Sequence, residues 1–120
     1  MKWNVEYTDE FEQWWTSLTE QEQDDVAARV GLLEEYGPKL PFPYCSGVES
    51  SRHEHMRELR IQHAGDPYRV LYAFDPIRNA LLLIGGNKKG NDRWYEQNVP
   101  RADQIYDRHL ETLGREGLLT

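Results

Sequence analysis

The chain opens on a two-residue period. In Trp3-Asn4-Val5-Glu6-Tyr7 apolar and polar side chains alternate, which predicts a half-buried strand. The period then changes. Phe11, Trp14, Trp15 and Leu18 recur at helical spacing behind Thr8 and Asp9, either of which can accept hydrogen bonds from the free N–H groups of a first turn. Thr19-Glu20-Gln21-Glu22 has the spacing of a capping box, so a second helix starts there. Its stripe is Val26, Val30 and Leu33, and Gly37-Pro38 stops it. With almost no linker between them, the two helices should form an antiparallel hairpin.

Residues 38–53 are rich in proline and serine and read as an irregular connection. Strands are predicted over residues 55–61, 68–74 and 80–84, the last continuously apolar. Gly65-Asp66-Pro67 and Asp75-Pro76-Ile77-Arg78-Asn79 supply the turns of an antiparallel meander. Gly85-Gly86-Asn87-Lys88-Lys89-Gly90-Asn91 reads as a flexible basic loop. A last helix is expected from Pro100, with Ala102, Ile105, Tyr106, His109, Leu110 and Leu113 as its apolar stripe, up to Gly114. The order β-α-α-β-β-β-α predicts an α+β domain whose helices cover one face of a mostly antiparallel sheet and leave the other open.

Composition narrows this picture. A length of 120 residues suits one domain. The longest apolar run, Ala80 to Ile84, is far too short to cross a bilayer, and residues 1–6 carry no apolar leader, so a cytoplasmic protein without a membrane partner is expected. The single cysteine, Cys45, has no second thiol for a disulfide or a zinc site. The net charge is −7, but it is unevenly spread. Residues 1–36 carry ten acidic side chains against two basic, residues 37–95 nine basic against six acidic, and residues 96–120 three basic against five acidic. The middle stretch is therefore the candidate footprint for an anionic ligand.

Strand alternation sets Glu58 and Arg60 on one side of their strand and Arg57, Leu59 and Ile61 on the other. Leu59 and Ile61 belong to a core, so Glu58 and Arg60 should face the open side, where Arg69 and Lys88 or Lys89 can join them. A carboxylate among cations could cleave RNA through its own 2′-hydroxyl, since that chemistry needs a base, positive donors for the crowded phosphate and an acid for the leaving oxygen. The alternative is a set of cross-strand ion pairs on a solvated face. Trp94-Tyr95 could stack on a base or could be core. The glycine-rich loop lacks the Gly-Lys-Ser/Thr triplet of a nucleotide-binding loop. His53 and His55 lack a third ligand at fixed spacing, so no metal site is expected, and Cys45 has no neighbouring base in sequence.

Met56-Arg57-Glu58-Leu59-Arg60, Tyr68 to Pro76 and Leu82 to Lys89 closely resemble the HigB-like, phage-derived branch of the RelE/ParE toxin superfamily. So do Trp94-Tyr95, Pro100, Ala102-Asp103 and Tyr106 to Leu110, and the resemblance runs over residues 3–113. It implies a RelE-like fold and the toxin of a type II toxin–antitoxin system, an endoribonuclease that cuts mRNA in the ribosomal A site without a metal or other cofactor. It also implies a cognate antitoxin, expected to be a helix-turn-helix protein that covers or neutralises the basic middle region. By position, Arg69 matches the arginine that binds the scissile phosphate, Arg60 and Lys88 its basic companions, Glu58 a site where some relatives carry a carboxylate base and others a lysine, and Tyr95 the aromatic that lines the cleft. Arg57, Lys89, Arg93 and Trp94 are then candidate RNA contacts. The other functions open to the superfamily are a ParE-like inhibitor of DNA gyrase and a catalytically inactive interaction protein. On an open face Arg69→Ala should silence activity and leave the fold intact. The acidic surplus should make binding of naked RNA weak and salt-dependent.

Overall fold

The structure is a computed structural model that describes residues 2–119. Its centre is a five-stranded sheet in the order β1-β5-β4-β3-β2. The first strand, β1 (Val5–Tyr7), runs parallel to β5 (Ala80–Asn87). The strands β3 (Arg57–His63), β4 (Asp66–Phe74) and β5 form the expected antiparallel meander, and β2 (Cys45–Gly47) extends it along the outer edge of β3. Only two residues, Ala64 and Gly65, join β3 to β4, both at positive φ, the backbone that matches the twist of a tight hairpin. The turn is thus shorter than predicted, and Asp66 and Pro67 belong to the strand.

Helices α1 (Asp9–Ser17) and α2 (Glu20–Tyr36) pack on one face. The Thr8 hydroxyl accepts from the Phe11 amide at 3.0 Å, and the Thr19–Glu22 capping box is complete. Phe11, Val26 and Leu33 meet Leu59, Ile61, Val70, Tyr72 and Leu82 in a core with no charged member.

The other face is not open. Helix α3 (Trp94–Arg115) lies on it and forms a second core with Met56, Leu71, Ala73, Leu81, Leu83 and Ile84. A register shift at Leu71/Tyr72 skips Leu83, and the resulting bulge lets Leu83 and Ile84 join that core together. The amphipathic stripe of α3 needed an apolar partner, and the hairpin already occupied the first face.

Two boundaries also differ from expectation. Helix α3 begins at Trp94, so Pro100 lies inside it. A proline within a helix costs about 3 kcal/mol. Burial of Trp94 and Val99 ahead of it contributes about 1.5–3 kcal/mol for each, enough to offset that cost. Gly85, Gly86 and Asn87 are strand residues, paired with Val70, Arg69 and Tyr68. A Cβ on Gly85 would stand 2.3 Å from the Trp14 ring, and one on Gly86 2.6 Å from Trp94 Nε1. The glycine pair is therefore where two tryptophans, one from each side, lie against the sheet.

Candidate active site

Backbone pairing brings the charges together before any side chain chooses a rotamer. Arg60 faces Arg69 across β3 and β4, Arg69 faces Gly86 across β4 and β5, and Glu58 lies two residues from Arg60 on the same side. Two like charges side by side need a counter-charge, and Glu58 supplies it. Its Oε1 stands 3.4 Å from Arg69 Nε and its Oε2 3.5 Å from Arg60 Nη1. Glu58 is 5% exposed and Arg69 4%, because α3 roofs this end of the sheet.

Two hydroxyls fix the carboxylate. Tyr95, in the first turn of α3, donates to Glu58 Oε1 at 2.6 Å, and Ser46 on β2 donates to Oε2 at 2.6 Å. Burial, together with the bond to Glu58, raises the Tyr95 pKa, so the phenol stays neutral and donating at physiological pH. Lys88 brings its ammonium to 5.4 Å from the centre of the Tyr95 ring. Arg69 Nη1 donates to the Tyr68 carbonyl at 2.9 Å, whereas its buried Nε has no hydrogen-bond partner among the described residues. That Nε lies 3.4 Å from Glu58 Oε1 as an ion pair without hydrogen-bond alignment, and a guanidinium has further donors suited to a phosphate.

Glu58, Arg60, Arg69, Lys88 and Tyr95 thus converge as the sequence suggested, under the start of α3 and not on an open face. The other four candidates do not join them. Arg57 points to the opposite face, where its Nη2 donates to Cys45 Sγ at 3.3 Å, as its place beside Leu59 in the alternation requires. Trp94 is buried against Gly86 and has no free face for a base. Lys89 is exposed and paired with Asp66 at 3.2 Å, and Arg93 is exposed and paired with Glu96 at 3.0 Å. Ser46 was missed, because a strand of three residues inside a proline- and serine-rich stretch has no period to read. Among the described residues no three His, Cys, Asp or Glu side chains converge as metal ligands, and His53 pairs with Asp107 at 2.8 Å.

The model of the phage derived protein Gp49-like family matches residues 13–107. The chain belongs to that family. It is 45% identical over 94 residues to the putative toxin HigB3 of Mycobacterium tuberculosis, an alignment covering 78% of this chain and 81% of that one. It is 39% identical over 99 residues to the putative toxin HigB2 of the same organism, covering 81% of this chain and 49% of that longer protein. A solved double arginine-to-alanine variant of Escherichia coli toxin RelE in the free state superposes with a TM-score of 0.56 at 11% identity. That match covers 80% of this chain and 94% of the other, and it bears on the fold alone. The Gp49-like chain is thus HigB-like in sequence, with the α+β fold of the solved RelE variant. Among the described residues no helix is long and apolar enough to cross a membrane.

Proposed function

We propose that the chain is an endoribonuclease toxin that cleaves mRNA held by the ribosome, without a metal. The observation that carries this reading is the buried Glu58 carboxylate, oriented by Tyr95 and Ser46 and set between the guanidinium groups of Arg69 and Arg60. Glu58 takes the proton of a 2′-hydroxyl, and the oxygen attacks the adjacent phosphorus. The bond from phosphorus to the 5′-oxygen breaks, leaving a 2′,3′-cyclic phosphate and a 5′-hydroxyl. Lys88, beside the Tyr95 ring, delivers the proton to the leaving oxygen. Arg69 and Arg60 stabilise the charge that builds on the phosphorane, where fixed donors in a water-poor site act most strongly. Three cations against one carboxylate leave the site positive, which suits a phosphodiester.

The protein as a whole is acidic, with −7 formal charges, so its affinity for free RNA is weak at physiological salt. The ribosome compensates by presenting the mRNA already positioned. On this reading the chain works in the cytoplasm. Its inhibitor is a cognate antitoxin, of the helix-turn-helix kind, that sets carboxylates and apolar contacts over Arg60, Arg69 or the Lys88–Lys89 turn.

The test is cleavage of a defined mRNA with and without translating ribosomes, with the new ends mapped. Ribosome-dependent cuts bearing 2′,3′-cyclic phosphates are expected, and Glu58→Gln should slow them about 10²- to 10⁴-fold. Efficient cutting of naked RNA would remove the ribosome from the reading. Absence of cutting in both assays, joined with gyrase inhibition, would replace it with the ParE-like activity.

A further inference from the structure

Beyond this charged cluster, at the edge of the sheet just before β2 begins, two aromatic rings stand out in solvent, each with an arginine over its face. Phe42 is 69% exposed and Tyr44 39%. Arg60 Cζ lies 5.2 Å from the centre of the Phe42 ring, and Arg29 Cζ lies 4.9 Å from that of Tyr44. Backbone bonds tie the pairs together: the Arg60 amide donates to the Tyr44 carbonyl at 2.9 Å, and the Arg29 guanidinium donates to the Arg60 carbonyl. Pro41 and Pro43 flank Phe42 and restrict its backbone.

An exposed phenylalanine exposes apolar area to water, and nothing in the two cores draws on Phe42. Arg29, on the acidic hairpin, forms no ion pair among the described residues. Planar rings alternating with planar cations are what unstacked bases bind, since every base has a π-face and its backbone carries negative charge. The position fits as well. Arg60 touches the Phe42 ring with its guanidinium and reaches to 3.5 Å from Glu58 with the same group, which puts the ring about 10 Å or less from the carboxylate. That is the reach of the nucleotide next to one whose phosphate lies on Arg69.

We infer that Phe42, with Arg60 against it, is a stacking subsite for the base beside the scissile phosphate, and that Tyr44 and Arg29 continue the path of the single strand. The inference rests on the ribonuclease reading and gives that site its grip on single-stranded RNA. Stacking of this kind is indifferent to base identity, so the subsite positions the strand and does not select its sequence.

Ribosome-bound mRNAs carrying an abasic nucleotide on either side of the cut make the test. With the native chain, removing the base on one of the two sides should slow cleavage about ten- to a hundredfold, as loss of one base–aromatic stack does. Phe42→Ala should slow cleavage of intact mRNA by a similar factor and show no further loss on the abasic strand, whereas Phe42→Trp should retain both activity and the abasic penalty. Because Phe42 is exposed, its alanine variant should melt with the native protein, which separates a lost subsite from a lost fold. A Phe42→Ala variant that cuts at the native rate, or still loses on the abasic strand, overturns the inference and leaves the ribonuclease reading intact. Native cleavage with a Phe42→Ala defect only in antitoxin binding would assign the rings to a protein interface and overturn it too. If the native chain cuts nothing, both fall together.

Discussion

The two faces of the sheet are built on different principles. The face under α1 and α2 is packed with apolar side chains, and its polar bonds sit at the rim, where the Tyr68 hydroxyl donates to Glu22 and His63 pairs with Asp25 at 2.6 Å. The face under α3 holds all four buried charged residues found among those described, Glu58, Arg69, Asp75 and Asp103. Each has a partner on or near the helix. Tyr95 donates to Glu58, His109 pairs with Asp75 at 2.9 Å, and Asp103 receives the Ser51 hydroxyl at 2.5 Å and the Arg52 amide at 3.2 Å. Burying a charge is unfavourable unless it is paired and hydrogen-bonded. A fold that concentrates that expense on one face, under one helix, has a stabilising side and a working side.

The largest effect should come from cutting the working side at its centre. Arg69→Ala leaves Glu58 buried without its closest cation, and breaking a buried pair by removing one partner costs about 3–5 kcal/mol. The open face expected from sequence would have made this variant harmless to the fold. The roof of α3 reverses that expectation, because Arg69 is 4% exposed. Urea denaturation checks it, and so does a second variant: Glu58→Gln with Arg69→Met removes both charges and should recover most of the loss while remaining inactive. A loss below about 1 kcal/mol for Arg69→Ala, the range of an exposed pair, would mean the site is wetter than its burial suggests.

The glycine pair on β5 sharpens the contrast, since one methyl group tests each face. In Gly85→Ala the new Cβ meets three Trp14 ring atoms between 2.3 and 2.8 Å, and in Gly86→Ala it meets Trp94 Nε1 at 2.6 Å with the next atoms at 3.2 Å. Overpacking costs about 1–3 kcal/mol, with Gly85→Ala at the upper end and Gly86→Ala at the lower. Activity should rank the other way. Moving Trp94 moves Tyr95 and loosens its bond to Glu58, so Gly86→Ala should lose cleavage while Gly85→Ala keeps it per folded molecule. Equal losses of activity would dissolve the distinction between the faces.

Much of the stabilising side was legible in sequence. Local signals specify it: the Thr8 and Thr19 caps, the Phe11 stripe, the Gly37 stop and the alternation of β1 and β3 each act within a few residues. The convergence of Glu58, Arg60 and Arg69 was legible too, since alternation and a tight meander suffice to predict it. The same alternation puts Arg57 on the other side of its strand, away from the RNA contact expected of it. What sequence hid depends on distant partners. Pro100 looks like a helix start until Trp94 and Val99 are seen buried before it, and Gly85-Gly86 looks like a loop until two tryptophans need the space. Ser46 gains its meaning only from Glu58 across the strand pair.

The smallest predicted effect lies at the rim of the stabilising side and is best read through pH. The Tyr68 hydroxyl donates to Glu22, and that bond, with burial behind it, pushes the Tyr68 pKa from 10.0 up to about 12. The same bond, ahead of the Thr19 amide, holds the Glu22 pKa below its ordinary value. The folded state therefore binds the Tyr68 proton more tightly than the unfolded chain does, so its contribution is complete below pH 10 and is lost as pH rises from 10 to about 12. On the acid side the carboxylate contribution is present above the ordinary Glu value and disappears as pH falls through the lowered one. Tyr68→Phe should accordingly be slightly less stable than the native chain across the neutral range, with the difference shrinking towards both ends. Cleavage should be unchanged, because Arg69 uses the Tyr68 carbonyl and not its hydroxyl. Melting curves of the two proteins from pH 3 to pH 12 decide it, and parallel curves would show that this rim bond adds nothing to the stabilising face.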